Sequence, residues 1–239
     1  MKIACNGKEN GMVTDDKRVR IISGHYGSGK TEFAVNYAAL LARQSDRKIA
    51  FADMDIVNVY FRSREVRDKI MAMGIRMIDS SIGAGADVPA IPAESYAPFE
   101  DKSYEYIIDL GGNDVGTIVL GRYRQWIDLD ETDFFMVVNI FRPDTNSVEK
   151  ILAAKESLEV ASGLKVTGFI NNSNLVRETT AADVLEGESM LAQVSQICQV
   201  PIRYTTYVEE IVTDMTEEKK EQLSGEVIPL TYFMREVWM

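Results

Sequence analysis

The sequence predicts an α/β fold: a doubly wound, mainly parallel sheet with helices on both faces. Three observations carry that expectation. Short continuous apolar runs such as Val19–Ser23, Tyr104–Asp109 and Phe134–Ile140 are the signature of strands covered on both sides. These runs alternate with segments of helical period, the pattern of βαβ units. The first of them leads directly into a glycine-rich loop and then into a helix-like stretch. The chain has 239 residues, no internal repeat and no obvious linker, so residues 18–239 read as a single domain and residues 1–17 as a lead-in.

Taken in order, Asn6-Gly7 and Asn10-Gly11 are turn dipeptides between short apolar pieces, which suits either a small hairpin or an unstructured start. Val19–Ser23 is the first strand. Phe33, Tyr37 and Leu41, with Ala34 and Ala38 beside them, recur at helical spacing. Lys48–Asp53 is a second strand ending in acid, and Val66, Ile70 and Met73 mark a helix that Gly74 terminates. Ile75–Asp79 is a third strand. The Gly-, Ala- and Pro-rich stretch Ser80–Asp101 is long for a structureless loop, so short helices or a functional segment are expected there. Tyr104–Asp109 and Phe134–Ile140 follow as strands, then a helix near Ser147–Ala161 and a strand at Val166–Asn171. Thr180 caps a helix running to about Gln199, Pro201 stops it, and Ile202–Tyr207 is the last predicted strand.

Composition narrows the function. Lys and Arg total 26 against 37 Asp and Glu, a formal net charge of −11. That balance repels phosphate backbones and anionic lipid, so neither nucleic acid nor a membrane surface is an expected partner. Two cysteines far apart, Cys5 and Cys198, and one histidine, His25, leave no disulfide framework and no multi-histidine or cysteine-cluster metal centre within one chain. There is no apolar run long enough to span a bilayer and no secretory h-region, which reads as a cytoplasmic protein.

Gly24-His25-Tyr26-Gly27-Ser28-Gly29-Lys30-Thr31 matches G-x-x-x-x-G-K-[ST] in full, between a predicted strand and a predicted helix. Each part has a physical task. Glycines let backbone N–H groups converge on a phosphate without side chains in the way. The helix beginning near Lys30 adds the positive end of its dipole. Lys30 supplies a point charge to the terminal phosphates, and the Thr31 hydroxyl is a Mg²⁺ ligand. Two further strands end in carboxylates, Phe51-Ala52-Asp53-Met54-Asp55 and Ile107-Ile108-Asp109-Leu110-Gly111-Gly112. In an open parallel sheet all three segments emerge where ligands bind.

GHYGSGKTEFAVNYA, ADMDIVN, YEYIIDLGG and GFINNSN together resemble the MinD/ParA-type ATPases, the SIMIBI class of P-loop proteins that also contains the CobQ/CobB synthetases, nitrogenase iron protein and the signal-recognition GTPases. The resemblance implies ATP and Mg²⁺ as the bound pair. Residues 24–31 would hold the phosphates, and Thr31, Asp53 and Asp109 would sit at the metal. Asp55 would orient or deprotonate the attacking water, with Lys30 as its catalytic companion. Gly111-Gly112 would sense the γ-phosphate, and Asn171 or Asn172 would contact adenine through an amide edge. One departure is clear. The family's extra loop lysine, which reaches across a dimer, is replaced here by His25; that residue either takes over the contact or occupies a tolerant loop position.

Other branches fit less well. The cysteine pattern of the iron protein is missing. A basic DNA-binding surface and a basic amphipathic membrane tail are also missing, the C-terminal region carrying Glu209, Glu210, Asp214, Glu217, Glu218 and Glu221 instead. The apolar piece Ile228–Met239 is expected to pack on the domain or on a partner. No NKxD or TKxD guanine motif follows the later strands, which favours adenine. The leading expectation is an ATP-hydrolysing switch that acts on a protein partner and forms a nucleotide-dependent homodimer. A small-molecule synthetase resembling dethiobiotin or cobyrinate synthetases, and a nucleotide sensor without turnover, are the alternatives.

Overall fold

In the computed structural model the described residues are 13–54, 67–79, 93–112, 120, 121 and 123–234. The proposed N-terminal hairpin and Asp55 lie outside them. Eight strands form one sheet in the order β3-β2-β4-β1-β5-β6-β7-β8, and every neighbouring pair is parallel. The strands are β1 (Val19–Ser23), β2 (Lys48–Met54), β3 (Arg76–Asp79), β4 (Tyr104–Leu110), β5 (Thr132–Val138), β6 (Gly168–Asn171), β7 (Ile202–Tyr207) and β8 (Glu226–Pro229).

Adjacent residues within a strand point to opposite faces, so each apolar run feeds two cores at once. Ile22, Phe51, Ile107, Phe135 and Ile170 pack with Phe33, Tyr37 and Leu41 of α1 (Lys30–Gln44). Their neighbours Ile21, Ala52, Ile108, Phe134 and Phe169 pack on the other face. Their partners there are Ile151 and Leu158 of α4 (Val148–Ser162) and Leu191 and Val194 of α5 (Ala181–Cys198). The doubly wound architecture is thus present. Each large apolar side chain so buried is worth roughly 1.5–3 kcal/mol against exposure.

Local signals set the helix ends. Ser147 accepts the Lys150 N–H at the start of α4. Thr180 and Asp183 form a reciprocal capping box at the start of α5, two orphan amides being satisfied together. Gln199 then turns to a positive φ and Pro201 stands just before the next strand. Gly74, at φ 82°, follows the short helix α2 (Arg67–Ala72). Part of the Ser80–Asp101 stretch is helical, with a 3-10 turn at Ala93–Ser95 and α3 at Ala97–Glu100. Two findings depart from the sequence expectation. A further strand, β8, follows the last predicted one and pairs with β7. A short α6 (Glu217–Lys220) precedes it. Ile228 and Leu230 enter the α1-side core, so the described part of the apolar C-terminal piece packs on the domain.

The amino-terminal edge of the sheet is an ionic lattice. Arg20, fully buried in β1, donates through Nη1 to Glu105 and to the Arg18 carbonyl, and through Nη2 to the carbonyls of Val13 and Asp16 at 3.0 Å each. Asp16 in turn accepts from Arg203 Nε (2.6 Å) and from the phenols of Tyr37 (2.6 Å) and Tyr204 (2.5 Å). The segment before β1 is thereby fastened to β4, β7 and α1.

Candidate functional site

β1 lies between β4 and β5, although the chain runs from β1 to β2 and returns to β4 only later. The winding reverses there, and the carboxyl end of β1 is the topological switch point where open α/β sheets bind ligands. The glycine-rich loop emerges at that place. Gly27 and Gly29 have φ of 76° and 84°, left-handed values that side chains with a Cβ rarely adopt. Gly29 is also the N-cap of α1 and makes no side-chain cap, so the first-turn amides of that helix are left for an anion.

The loop is held from outside. Asn172 Nδ2 donates to the Ser28 carbonyl at 2.7 Å, and Arg142 Nε donates to the Gly27 carbonyl at 2.9 Å. A trans peptide points its N–H opposite to its C=O. These anchors therefore turn the Ser28 and Gly29 N–H groups away from Asn172 and Arg142, and the Ser28 N–H reaches the His25 carbonyl at 3.0 Å. The turn after β4 closes on the same loop: a Cβ at Gly112 would lie 1.8 Å from the Gly24 carbonyl oxygen. No side chain fits there.

Lys30 and Thr31 open α1 and are both buried. Thr31 Oγ1 donates to Asp109 Oδ2 at 2.7 Å, and Asp109 stands beside Asp53 in the register of β4 and β2. Neighbouring strands are about 4.8 Å apart with register partners on one face, so two buried carboxylates lie side by side below the loop. A hydroxyl and one or two carboxylates form an oxygen-only set that suits Mg²⁺, which keeps several waters and takes few protein ligands. Among the described residues no three His, Cys, Asp or Glu side chains form a metal cluster. Mg²⁺ at Thr31 and Asp109 needs none.

His25 places Nδ1 3.4 Å from Asp144 Oδ2, and Tyr26 beside it is 72% exposed. The two asparagines part company. Asn171 is fully buried. Its Nδ2 donates to the Val184 carbonyl and to Glu188, and its Oδ1 accepts the Ser173 N–H. That amide fastens β6 to α5 and has no edge to offer a base, which corrects the expectation for Asn171. Asn172 braces Ser28 and accepts from Thr206 Oγ1 at 2.7 Å, so its amide supports the loop.

An open groove leads away from Gly27 and Gly29, with about 580 Å³ of empty space partly continuous with solvent. Arg142, Asn172, Asn174 and Thr179 line it together with apolar Val176, Val208, Ile211 and Val212. Leu230 and Tyr232 form its outer wall. That wall is clasped to α1: Asn36 exchanges hydrogen bonds with Thr231 N–H and C=O, and Glu32 accepts the Phe233 and Met234 N–H groups at 2.5 and 3.1 Å. Apart from Gly27, Gly29 and Asn172, these groove residues were not singled out from the sequence. They are isolated apolar and polar positions on different elements, and no motif links them. Val176 has φ 61°, a strained value for a β-branched residue, at the groove edge.

Neither a protein-family model nor a curated protein sequence matches the chain. Solved structures do. The cell division protein FtsY from Thermotoga maritima superposes with a TM-score of 0.54 at 19% identity, over 85% of this chain and 66% of that one. Chloroplast FtsY from Physcomitrella patens gives 0.53 at 16% over 82% and 61%. The signal recognition particle receptor FtsY from Elizabethkingia anophelis gives 0.50 at 16% over 95% and 66%. This chain thus spans less than two thirds of the length of each. At these identities the likeness is one of fold, and the fold is that of the P-loop nucleotide-binding proteins. Among the described residues, no helix is long and apolar enough to cross a membrane.

Proposed function

We propose that the protein is a Mg²⁺-dependent ATPase switch of the MinD/ParA type, which binds ATP and ADP at residues 24–31 and signals its nucleotide state to a protein partner. The observation that carries this reading is the braced loop above the Thr31–Asp109 hydrogen bond. Its amides and the uncapped start of α1 form a cradle for anionic oxygens, with Lys30 beside it as cation. Bound Mg²⁺ would neutralise charge on the terminal phosphates. Thr31 would be its direct ligand, and Asp109 and Asp53 would hold its water shell. Asp55, one residue past β2, would orient the attacking water.

Adenine is favoured by the chemistry of the groove. A guanine reader needs a carboxylate to accept from N1–H and N2–H₂, whereas Asn, Thr, Val, Ile and Tyr dominate these walls. The single acid among the lining residues, Glu32, is engaged by two backbone amides. Exposed Tyr26 and half-buried His25 in the loop are the surface that a homodimer formed across the nucleotide would bury. The acidic balance is the argument against nucleic acid and membrane partners.

Calorimetry tests this directly. Mg-ATP is expected to bind more tightly than Mg-GTP, and Lys30→Ala to abolish the heat. No heat from either nucleotide would overturn nucleotide binding; tighter GTP binding would overturn the choice of base. Light scattering with ATP, with ADP and without nucleotide tests the dimer, and a monomer throughout rejects it.

A further inference from the structure

Arg142 does more than a brace requires. Holding the Gly27 carbonyl takes one N–H, and a guanidinium has five in a fixed plane. Arg18, Arg20, Arg47, Arg76 and Arg203 pair with carboxylates, whereas Arg142, like Arg43 and Arg124, pairs with none among the described residues. The side chain lies at the junction between the loop and the groove: it contacts Gly27 and lines the same space as Val208, Ile211 and Val212.

Its position is preset. Pro143 disfavours helical backbone at Arg142. Its N–H donates to the Asn139 carbonyl (3.2 Å), and its own carbonyl accepts the Thr145 N–H (3.0 Å). Asn139 is fully buried and ties this turn to the 172–174 segment, donating to the Asn174 carbonyl at 3.0 Å and accepting the Asn174 N–H at 3.3 Å. Two loops that flank the groove are thus one rigid piece, with the Arg142 guanidinium fixed by Nε.

The Gly27 carbonyl that it binds is on the outer side of the loop. Gly27, Gly29 and Arg142 line one groove, so a ligand whose phosphates occupied the loop amides would have that groove beside it for its sugar and base. We propose that Arg142 is a nucleoside-binding residue, its guanidinium plane packing on the sugar and base of the bound nucleotide. A planar, weakly hydrated cation stacks on an aromatic face, which an ammonium group cannot imitate. This rests on the nucleotide-binding reading above and adds a specific contact to it.

The experiment compares Mg-ATP, Mg-ADP and magnesium tripolyphosphate on wild-type protein, Arg142→Ala and Arg142→Lys by calorimetry. Tripolyphosphate has the phosphate chain without a nucleoside. Arg142→Ala is expected to weaken tripolyphosphate by the cost of the lost Gly27 brace and to weaken ATP and ADP alike by about tenfold more than that, the scale of one desolvated stacking contact. Arg142→Lys, which keeps the charge and a donor for Gly27, is expected to recover little of the loss. Equal weakening of tripolyphosphate would make Arg142 a loop brace and overturn the proposal, as would full recovery with lysine. Unchanged nucleotide binding in Arg142→Ala overturns this assignment alone. Wild-type protein that takes up no nucleotide overturns the parent reading and this one together.

Discussion

Both ends of β1 bury charge, and they use it differently. At the amino-terminal end Arg18, Arg20, Asp16, Glu105 and Arg203 are linked to one another and to backbone carbonyls, and the protein itself supplies their counter-charges. At the carboxyl end two carboxylates share one register row beneath a loop of glycines, whose Gly27 and Ser28 carbonyls are held by Arg142 and Asn172. The first arrangement is closed by the fold. The second lies at the switch point of the sheet beside the glycine-rich loop, where the reading of a binding site applies.

The sharpest way to break this contrast is at the loop. Lys30→Ala is expected to lower affinity for Mg-ATP by at least about a hundredfold, the loss of a buried charge-assisted contact, with the circular dichroism spectrum unchanged. Asp55→Ala is expected to cut phosphate release by about a hundredfold or more while ATP still binds, as for removal of a water-orienting group. A variant that hydrolyses at the normal rate would remove Asp55 from the reaction.

Substitution at the other end should have the reverse profile. Arg20→Met leaves Glu105 buried without its main partner and is expected to cost about 3–5 kcal/mol in urea denaturation. ATP affinity of the folded protein should not change. If nucleotide binding fell in proportion, the two ends would not be independent. The same lattice responds to alkali. Burial first, then the neighbouring Asp16 charge, raises the Tyr204 phenol above its ordinary range, and burial does the same to Tyr37. Above about pH 10 an unfolded tyrosine loses its proton while these two keep theirs, so the folded state binds more protons and stability falls as pH rises. Below that pH the contribution is fully present. Tyr37→Phe/Tyr204→Phe should flatten the alkaline limb of the stability curve. The smallest effect is expected at a helix cap: Thr180→Ala should cost about 1 kcal/mol, read as a shifted denaturation midpoint.

Sequence reasoning succeeded where the signal is local. The glycine-rich loop, the Thr180 cap and the alternation of strand and helix depend on residues within one turn or one strand of each other. It failed where tertiary pairing decides. Glu226–Pro229 has no pattern of its own and becomes a strand because β7 offers it an edge, while buried Glu188 accepts the Ser224 N–H just before it. Asn171 and Asn172 are equivalent on paper. At the end of a strand successive side chains point to opposite faces, so one amide turns to α5 and the other to the loop, and only the strand's phase in the sheet tells which. The grip of Arg142 on Gly27 links distant parts of the chain, and a single arginine in a turn carries no sign of it.

Gly112 leaves the turn after β4 without clearance against Gly24. Two segments far apart in the chain are consequently in mechanical register: whatever displaces the one must lift or lower the other. Substituting alanine at Gly112 would act as a wedge against the Gly24 carbonyl, displacing the glycine arch through its backbone.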